Sequence, residues 1–296
     1  MSRSMSRRDL LRGGLAVVGG LVAVRVAGQP GVAWAADAAA GKPRIRLGTV
    51  TYMVAAKMDL PTLLDACEKS GMEGVELRTG HAHGVEPTLD AAGRAKVKEQ
   101  FAKSKVALVA LGTACEFHSP DPAVVKKHIA DAKQFIDLAA DLGAWGVKVR
   151  PNGLRKDVPE EQTLRQIGEA LREVGEAAKA KNIQIVVECH GSATQEPARM
   201  AKIMEFCGHP SVGLCWNSNA GDVKNGSIKA GFDLCKAWIR HVHCRDLEAK
   251  DYNWPELFQL LKGMNYTGYT MLEAQTKKDP VEYLKERRAL WEKLMG

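Results

Sequence analysis

Four residues of ligand type recur at nearly even intervals in the second half of the chain: Glu188, Asn217, His243 and Glu273. Each closes a short apolar run, as in Val186-Val187-Glu188, Leu214-Cys215-Trp216-Asn217, His241-Val242-His243 and Met271-Leu272-Glu273. The steps between them, roughly 26 to 30 residues, are each about one strand-plus-helix unit. Two carboxylates, an amide oxygen and an imidazole brought to one height can hold one divalent cation. Mixed oxygen and nitrogen donors suit Mn²⁺, Co²⁺ or Mg²⁺, and admit Zn²⁺. Any one of the four alone is as readily a paired core residue. Their recurrence at the ends of consecutive runs is what points to a metal.

The elements that must position them are readable from periodicity. Short β-branched or aliphatic runs bounded by turn residues predict strands at 45–50, 74–78, 106–111, 146–150, 183–188, 212–216, 239–243 and 269–273. Helical spacing lies between them. Asp121 followed by Pro122 predicts a capped helix start, with Val125, Ile129, Ala132, Ile136, Ala139 and Leu142 on one face. Leu164, Ile167, Leu171, Val174 and Ala178 repeat the pattern up to Asn182, and a last helix spans 280–294. Eight such units predict an α/β fold, a (β/α)8 TIM barrel in a single domain at 44–296. An open doubly wound sheet is disfavoured, because no Gly-x-Gly-x-x-Gly follows a strand.

The chain has 296 residues and a formal net charge of +7, which by itself would suggest an anionic partner. Residues 1–35 take most of that charge. Ser6-Arg7-Arg8-Asp9-Leu10-Leu11-Arg12 is a twin-arginine pattern, followed by an apolar run from Gly13 to Val24 and by Ala33-Trp34-Ala35. The run is shorter than the ~20 residues a membrane span needs. Residues 1–35 are therefore expected to be an export signal and 36–43 a linker, with a periplasmic or extracytoplasmic mature protein and no stable membrane anchor. Cleavage removes five arginines against one aspartate, leaving no case for nucleic acid. Seven cysteines without a Cys-x-x-Cys pair predict neither a zinc knuckle nor a redox motif. Cys189, Cys215 and Cys244 lie in apolar runs and read as small buried hydrophobes.

From about Ile45 to Leu294 the chain resembles the sugar phosphate isomerase/epimerase family, the xylose isomerase-like barrels. Val187-Glu188, Gly213-Leu214-Cys215-Trp216-Asn217, His241-Val242-His243-Cys244-Arg245-Asp246 and Leu272-Glu273 carry the resemblance. It implies a metal held by Glu, Asp, His and Glu from strands five to eight, with the two glutamates as acid and base. Glu188, His243 and Glu273 match that pattern. Asn217 stands where aspartate is usual, and Ala220 replaces a histidine often found three residues later. The resemblance also leaves a homo-oligomer open.

A second tier of candidates would contact substrate. Glu76 and Arg78 alternate on strand two, and Lys148 and Arg150 on strand four, so each pair points one way. With Arg245, the cations of these pairs either ring the mouth to bind hydroxyl-rich or carboxylate-bearing ligands, or form ion pairs at the barrel rim. The sequence leaves these two readings level. His83, His118 and His190 follow strands two, three and five, with His81 close by, whereas His128 and His209 read as surface residues.

The reading that emerges is a metal-dependent isomerase or epimerase using enolate-type proton transfer between Glu188, Glu273 and a free sugar or sugar derivative. A metal-dependent lyase or hydratase acting on 3-keto-glycosides shares the first step. A nuclease like the family-two apurinic endonucleases would need more histidine and aspartate than Asn217-Ser218-Asn219 offers. A non-catalytic sugar-binding protein would keep the cations and need no metal.

Overall fold

The computed structural model describes residues 44–296, so the expected leader at 1–35 and linker at 36–43 lie outside the described residues. Strands β1 (Arg46–Val50), β2 (Gly74–Arg78), β3 (Ala107–Glu116) and β4 (Gly146–Arg150) alternate with helices α1 (Leu60–Ser70), α2 (Ala91–Ala102), α3 (Pro122–Leu142) and α4 (Glu160–Ala180). The alternation continues through β5 (Gln184–Glu188), α5 (Pro197–Cys207), β6 (Val212–Asn217), α6 (Lys229–Cys235), β7 (Ile239–Cys244), α7 (Trp254–Gly263), β8 (Tyr269–Leu272) and α8 (Pro280–Met295). The eight strands pair in parallel and in chain order, and β1 closes on β8 from Arg46 opposite Tyr269 to Thr49 opposite Leu272. This is the (β/α)8 barrel that the periodicity predicts, in a single domain. Among the described residues, no helix is long and apolar enough to cross a membrane.

Local chemistry sets the element ends. Asp59, Asp90, Asp121 and Asp279 each accept a backbone N–H of the following first turn, and proline opens α3 and α8. Gly71 and Gly143 end α1 and α3 in the left-handed conformation, where a Cβ would be strained. The apolar faces of the helices pack on the outward faces of the strands, with Leu47, Leu77, Val147, Val187, Leu214 and Val242 buried between the layers. Inside the barrel a small apolar floor of Val50, Val109, Ala110, Tyr269 and Met271 lies apart from that layer. All seven cysteines are free and buried.

Two features of the sheet bear on the site. β7 carries an extra residue against β6: Leu214 faces Ile239 and Cys215 faces His241, so Arg240 has no partner in the register. Such a bulge re-aims the side chains that follow it. β3 runs to Glu116, beyond the expected end at 111, because its last residues are tied to neighbours. Thr113 Oγ1 donates to the Lys148 carbonyl at 2.8 Å, and the Glu116 N–H donates to His128 Nδ1 at 2.9 Å. His128 is thus a half-buried tie between α3 and β3, not the surface residue expected. His209 is also buried, accepting the Ser211 N–H at 3.1 Å on Nδ1.

Candidate metal centre

Glu188 ends β5, His243 lies on β7, and Glu273 follows β8 with its N–H held by the Cys244 carbonyl at 2.7 Å. The barrel brings these three to one place. His243 Nδ1 is 3.8 Å from Glu188 Oε1 and 3.5 Å from Glu273 Oε2. Donors sharing one ion at bonds of about 2.1 Å stand this far apart. His243 Nδ1 is buried and has no hydrogen-bond partner among the described residues, as a nitrogen kept for a ligand would be. Asn217 stands at the rim of the group, its Nδ2 donating to Glu188 Oε1 at 3.4 Å.

Charge gives a second test of fit. Glu76, Glu188 and Glu273 surround a single lysine, Lys148, so the centre is anionic when the histidines are neutral. A divalent cation between Glu188, His243 and Glu273 would balance that excess, and an unbalanced buried charge is costly. The residues present fit such an ion. A second group, Cys215, His241 and His243, is as closely clustered but fully buried. Burial pushes the Cys215 thiol up to about 11, and its soft sulfur is a poor match for a hard cation.

Beneath the centre lies an arrangement that strand alternation did not reveal. Glu76 Oε2 is 3.0 Å from Nε2 of both His241 and His243. A carboxylate oxygen accepts, so each imidazole donates a hydrogen bond from its Nε2–H to Glu76, and Nδ1 of His243 is left facing Glu188 and Glu273. Burial alone would push the Glu76 acid upward, but His243, His241 and Lys148 hold it well below the usual carboxylate range. Burial lowers His241 despite Glu76. His243 is buried too, yet Cys215, Glu76 and Glu188 hold it well above the ordinary imidazole value. Gly112 makes room for the carboxylate: a Cβ there would come within 2.6 Å of Glu76 Oε1. Glu76 is therefore a buried support of the metal centre and not the substrate contact expected of it.

A ring of free cations is not what the barrel mouth holds. Lys148 Nζ lies 2.6 Å from Glu188 Oε2, with both side chains buried. Burial would lower this ammonium, but Glu188, Glu76 and Glu273 hold it above its ordinary value. Arg150 pairs with Glu116 at 2.6 Å, and Arg245 with Asp251 at 2.7 Å and the Ser218 carbonyl at 2.8 Å. Arg78 donates to the Thr79 carbonyl at 2.7 Å and forms no ion pair among the described residues. The even strand period placed Lys148 on the inner face, among Glu188, Glu76 and Glu273. Which carboxylate each cation would meet depended on loops and on strands tens of residues away.

The loop histidines divide. His83 is turned to backbone on both sides, with Nε2 2.9 Å from the Arg78 carbonyl and Nδ1 accepting the Val85 N–H at 3.0 Å. It shapes the loop after β2 and has no nitrogen left for substrate. His81 is held by Thr51 Oγ1 at 2.9 Å. His118 is half-buried against Gly153 with an unpartnered Nδ1. His190 is half-buried and bonded to Asn152 at 2.8 Å. Glu116 and Asn152, which hold Arg150 and His190, were missed because nothing in their local sequence marks them.

A closed eight-stranded barrel with carboxylate and imidazole donors at strands five, seven and eight is a narrow description. Residues 64–294 match the family described as the xylose isomerase-like TIM barrel. The chain belongs to that family. Solved structures share the barrel at low identity. An L-ribulose 3-epimerase is 17% identical, over 85% of this chain and 94% of that one, with a TM-score of 0.71. The 3-keto-D-glucoside 4-epimerase YcjR from E. coli is 12% identical over 84% and 100%, also at 0.71. The IOLI protein, with a binding zinc atom, is 17% identical over 84% and 98%, at 0.70. No curated protein matches the chain significantly. Within this xylose isomerase-like barrel the likeness to those structures is one of fold, and the chemistry is argued from the residues.

Proposed function

We propose that this barrel is a metal-dependent sugar isomerase or epimerase working by enolate-type proton transfer. The observation that carries the reading is the Glu188–His243–Glu273 cluster, in which two carboxylates flank a histidine whose facing nitrogen is unpartnered. A divalent cation held by these three, with Asn217 at its edge, would polarise a sugar carbonyl and acidify the neighbouring C–H. Mn²⁺, Co²⁺ or Mg²⁺ suits the oxygen-rich set, and the zinc of the IOLI protein keeps Zn²⁺ among the candidates.

The two carboxylates are not equivalent. Glu188 is clamped by Lys148 and Asn217 and almost fully buried, whereas the Glu273 side chain is 19% exposed. Glu273 is the carboxylate free to meet a substrate carbon and take its proton. Glu188 faces the same His243 Nδ1 and is held ionised by Lys148. Return of the proton held by Glu273 to the neighbouring carbon gives isomerisation. Epimerisation needs a proton on the opposite face, which the Lys148 ammonium bonded to Glu188 can supply while Glu273 releases its own to water.

Two substrate classes are consistent with a mouth whose cations are mostly paired: free ketoses and oxidised glycosides. The 3-keto-D-glucoside 4-epimerase of this fold supports the second. A lyase or hydratase acting on such glycosides begins with the same proton abstraction. The twin-arginine pattern of residues 6–12 supports an exported enzyme meeting unphosphorylated sugars. The test is a panel of free ketoses and 3-keto-glycosides incubated with metal-loaded protein, with products identified by NMR. A new epimer or isomer supports the reading. An unsaturated product assigns the lyase branch, and an unchanged panel contradicts both.

A further inference from the structure

The loops after β3, β4 and β5 hold a chain of polar groups that metal binding and proton transfer do not use. Glu116 Oε1 accepts from Arg150 NH2 and from Asn152 Nδ2, each at 2.6 Å. The Asn152 Oδ1 then stands 2.8 Å from His190 Nδ1. The backbone is committed to this arrangement. Asn152 has a φ of 63° and pairs with Gly191 in an isolated parallel bridge. Gly191 has a φ of 93°, and a Cβ there would come within 2.5 Å of Asn152. Left-handed backbone on both loops costs on the order of 1 kcal/mol or more for a non-glycine residue, and persists where the surroundings over-determine it.

We propose that Glu116 and Asn152 lock His190 in its Nδ1–H tautomer, so that its Nε2 lone pair accepts a hydrogen bond from a substrate hydroxyl. The direction of each bond follows from what its partner can do. A carboxylate oxygen only accepts and a guanidinium only donates, so Glu116 must draw the NH₂ end of Asn152 toward itself. Flipping the amide would set two acceptors against each other. Oδ1 therefore faces His190, whose Nδ1 must carry the proton to donate. In the neutral ring Nε2 is then an acceptor.

That Nε2 has no hydrogen-bond partner among the described residues. His190 is two residues beyond Glu188, at the C-terminal end of β5, and its ring is half-buried. The acceptor thus belongs to the loop after β5, which Glu188 ends, and its ligand class is a polyol presenting O–H there, not an ether or a carbonyl. Glu116 and Asn152 are positioning residues. This inference deepens the sugar reading of the site and rests on it for the identity of the donor, but the tautomer does not.

The tautomer is read directly from the long-range ¹H–¹⁵N spectrum of the full-length, Mg²⁺-loaded protein. Wild type should show His190 with a protonated Nδ1 and a bare Nε2; a protonated Nε2 would overturn the proposal. Glu116→Ala removes the acceptor shared by Arg150 and Asn152, leaves the amide free to turn over, and should give a mixture of both tautomers. An unchanged tautomer in this variant would remove Glu116 from the relay. Asn152→Gly keeps the positive φ, removes the amide, and should give a mixture of both tautomers; a single wild-type tautomer there would also overturn the lock. Adding D-psicose or a 3-keto-glucoside should shift the Nε2 signal and leave Nδ1 nearly still, and His190→Leu should weaken that ligand about tenfold. Absence of any Nε2 shift with both sugars would overturn the acceptor role. Loss of turnover with the tautomer intact would count against the sugar reading alone.

Discussion

Lys148 Nζ lies 2.6 Å from Glu188 Oε2 inside the barrel, with side chains only 5% and 3% exposed. The pair joins β4 to β5 and places a fixed positive charge against a carboxylate that also faces His243. The candidate metal centre therefore contains a built-in cation that keeps Glu188 ionised and would compete electrostatically with a bound ion.

Removing that lysine should affect stability and metal affinity in opposite senses. Lys148→Met leaves Glu188 buried and unpaired, which should cost about 3 kcal/mol in the metal-free protein, measured by urea unfolding. The same change leaves three carboxylates without their lysine, so divalent-ion affinity by calorimetry should rise. Added Mn²⁺ should restore part of the lost stability. Weaker metal binding in this variant would show that Lys148 supports the ion and does not oppose it.

His243 gives the pH dependence. Its imidazole is held well above the ordinary 6.5 by Cys215, Glu76 and Glu188, against the opposing effect of burial. Nδ1 must lose its proton before it can ligate, so metal affinity should fall as pH falls through the raised value. Stability without metal runs the other way. A group whose folded pKa is raised contributes fully below about 6.5, and that contribution is lost as pH rises through the folded value. Chelated protein should thus lose stability on going from pH 6 to above neutrality, while metal-loaded protein should not. Parallel pH curves for the two forms would contradict this.

Glu76 should matter to the metal without touching it. Glu76→Gln keeps one oxygen for both Nε2–H donors but removes the negative charge. It also buries an NH₂ group where Oε1 now meets no partner, weakening the hold on the Nδ1 aim of His243. Divalent-ion affinity should fall about 10- to 100-fold. Gly112→Ala should act in the same direction, since its Cβ would meet Glu76 Oε1. Unchanged metal affinity in Glu76→Gln would make this carboxylate a core residue only.

Glu273→Gln separates chemistry from folding. The side chain is part exposed and touches only His243 within the cluster, so stability should change by less than about 0.5 kcal/mol. Turnover of the sugar identified by the product screen should fall by roughly 10² to 10⁴. Full turnover would remove Glu273 from the proton-transfer role.

Much of the barrel was legible because its signals are periodic. Aliphatic runs such as Gly146–Arg150 alternate with helical patterns such as that of α4, and Glu188, Asn217, His243 and Glu273 fall one unit apart at or beside strand ends. Depth within the barrel was not legible. An even period shows that Glu76 and Arg78 share a face, but not that Glu76 lies under two histidines while Arg78 reaches the loop. The bulge at Arg240, which helps bring His241 to Glu76, has no composition of its own. Lys148 and Glu188 are 40 residues apart, so the pair that removes this cation from the mouth is a product of closure. The Glu116–Asn152–His190 chain depends on backbone at positive φ, which asparagine and glycine permit without announcing.

The most direct test of the central claim is hydrogen exchange into a sugar in heavy water. Metal-loaded protein should place deuterium on the carbon beside the carbonyl of D-psicose or a 3-keto-glucoside, followed by ¹H NMR. Exchange should disappear on chelation, return with Mn²⁺ or Co²⁺, and be largely lost in Glu273→Gln. Conversion of a sugar without deuterium entering that carbon, or exchange indifferent to both metal and Glu273, would contradict metal-assisted proton transfer at this centre.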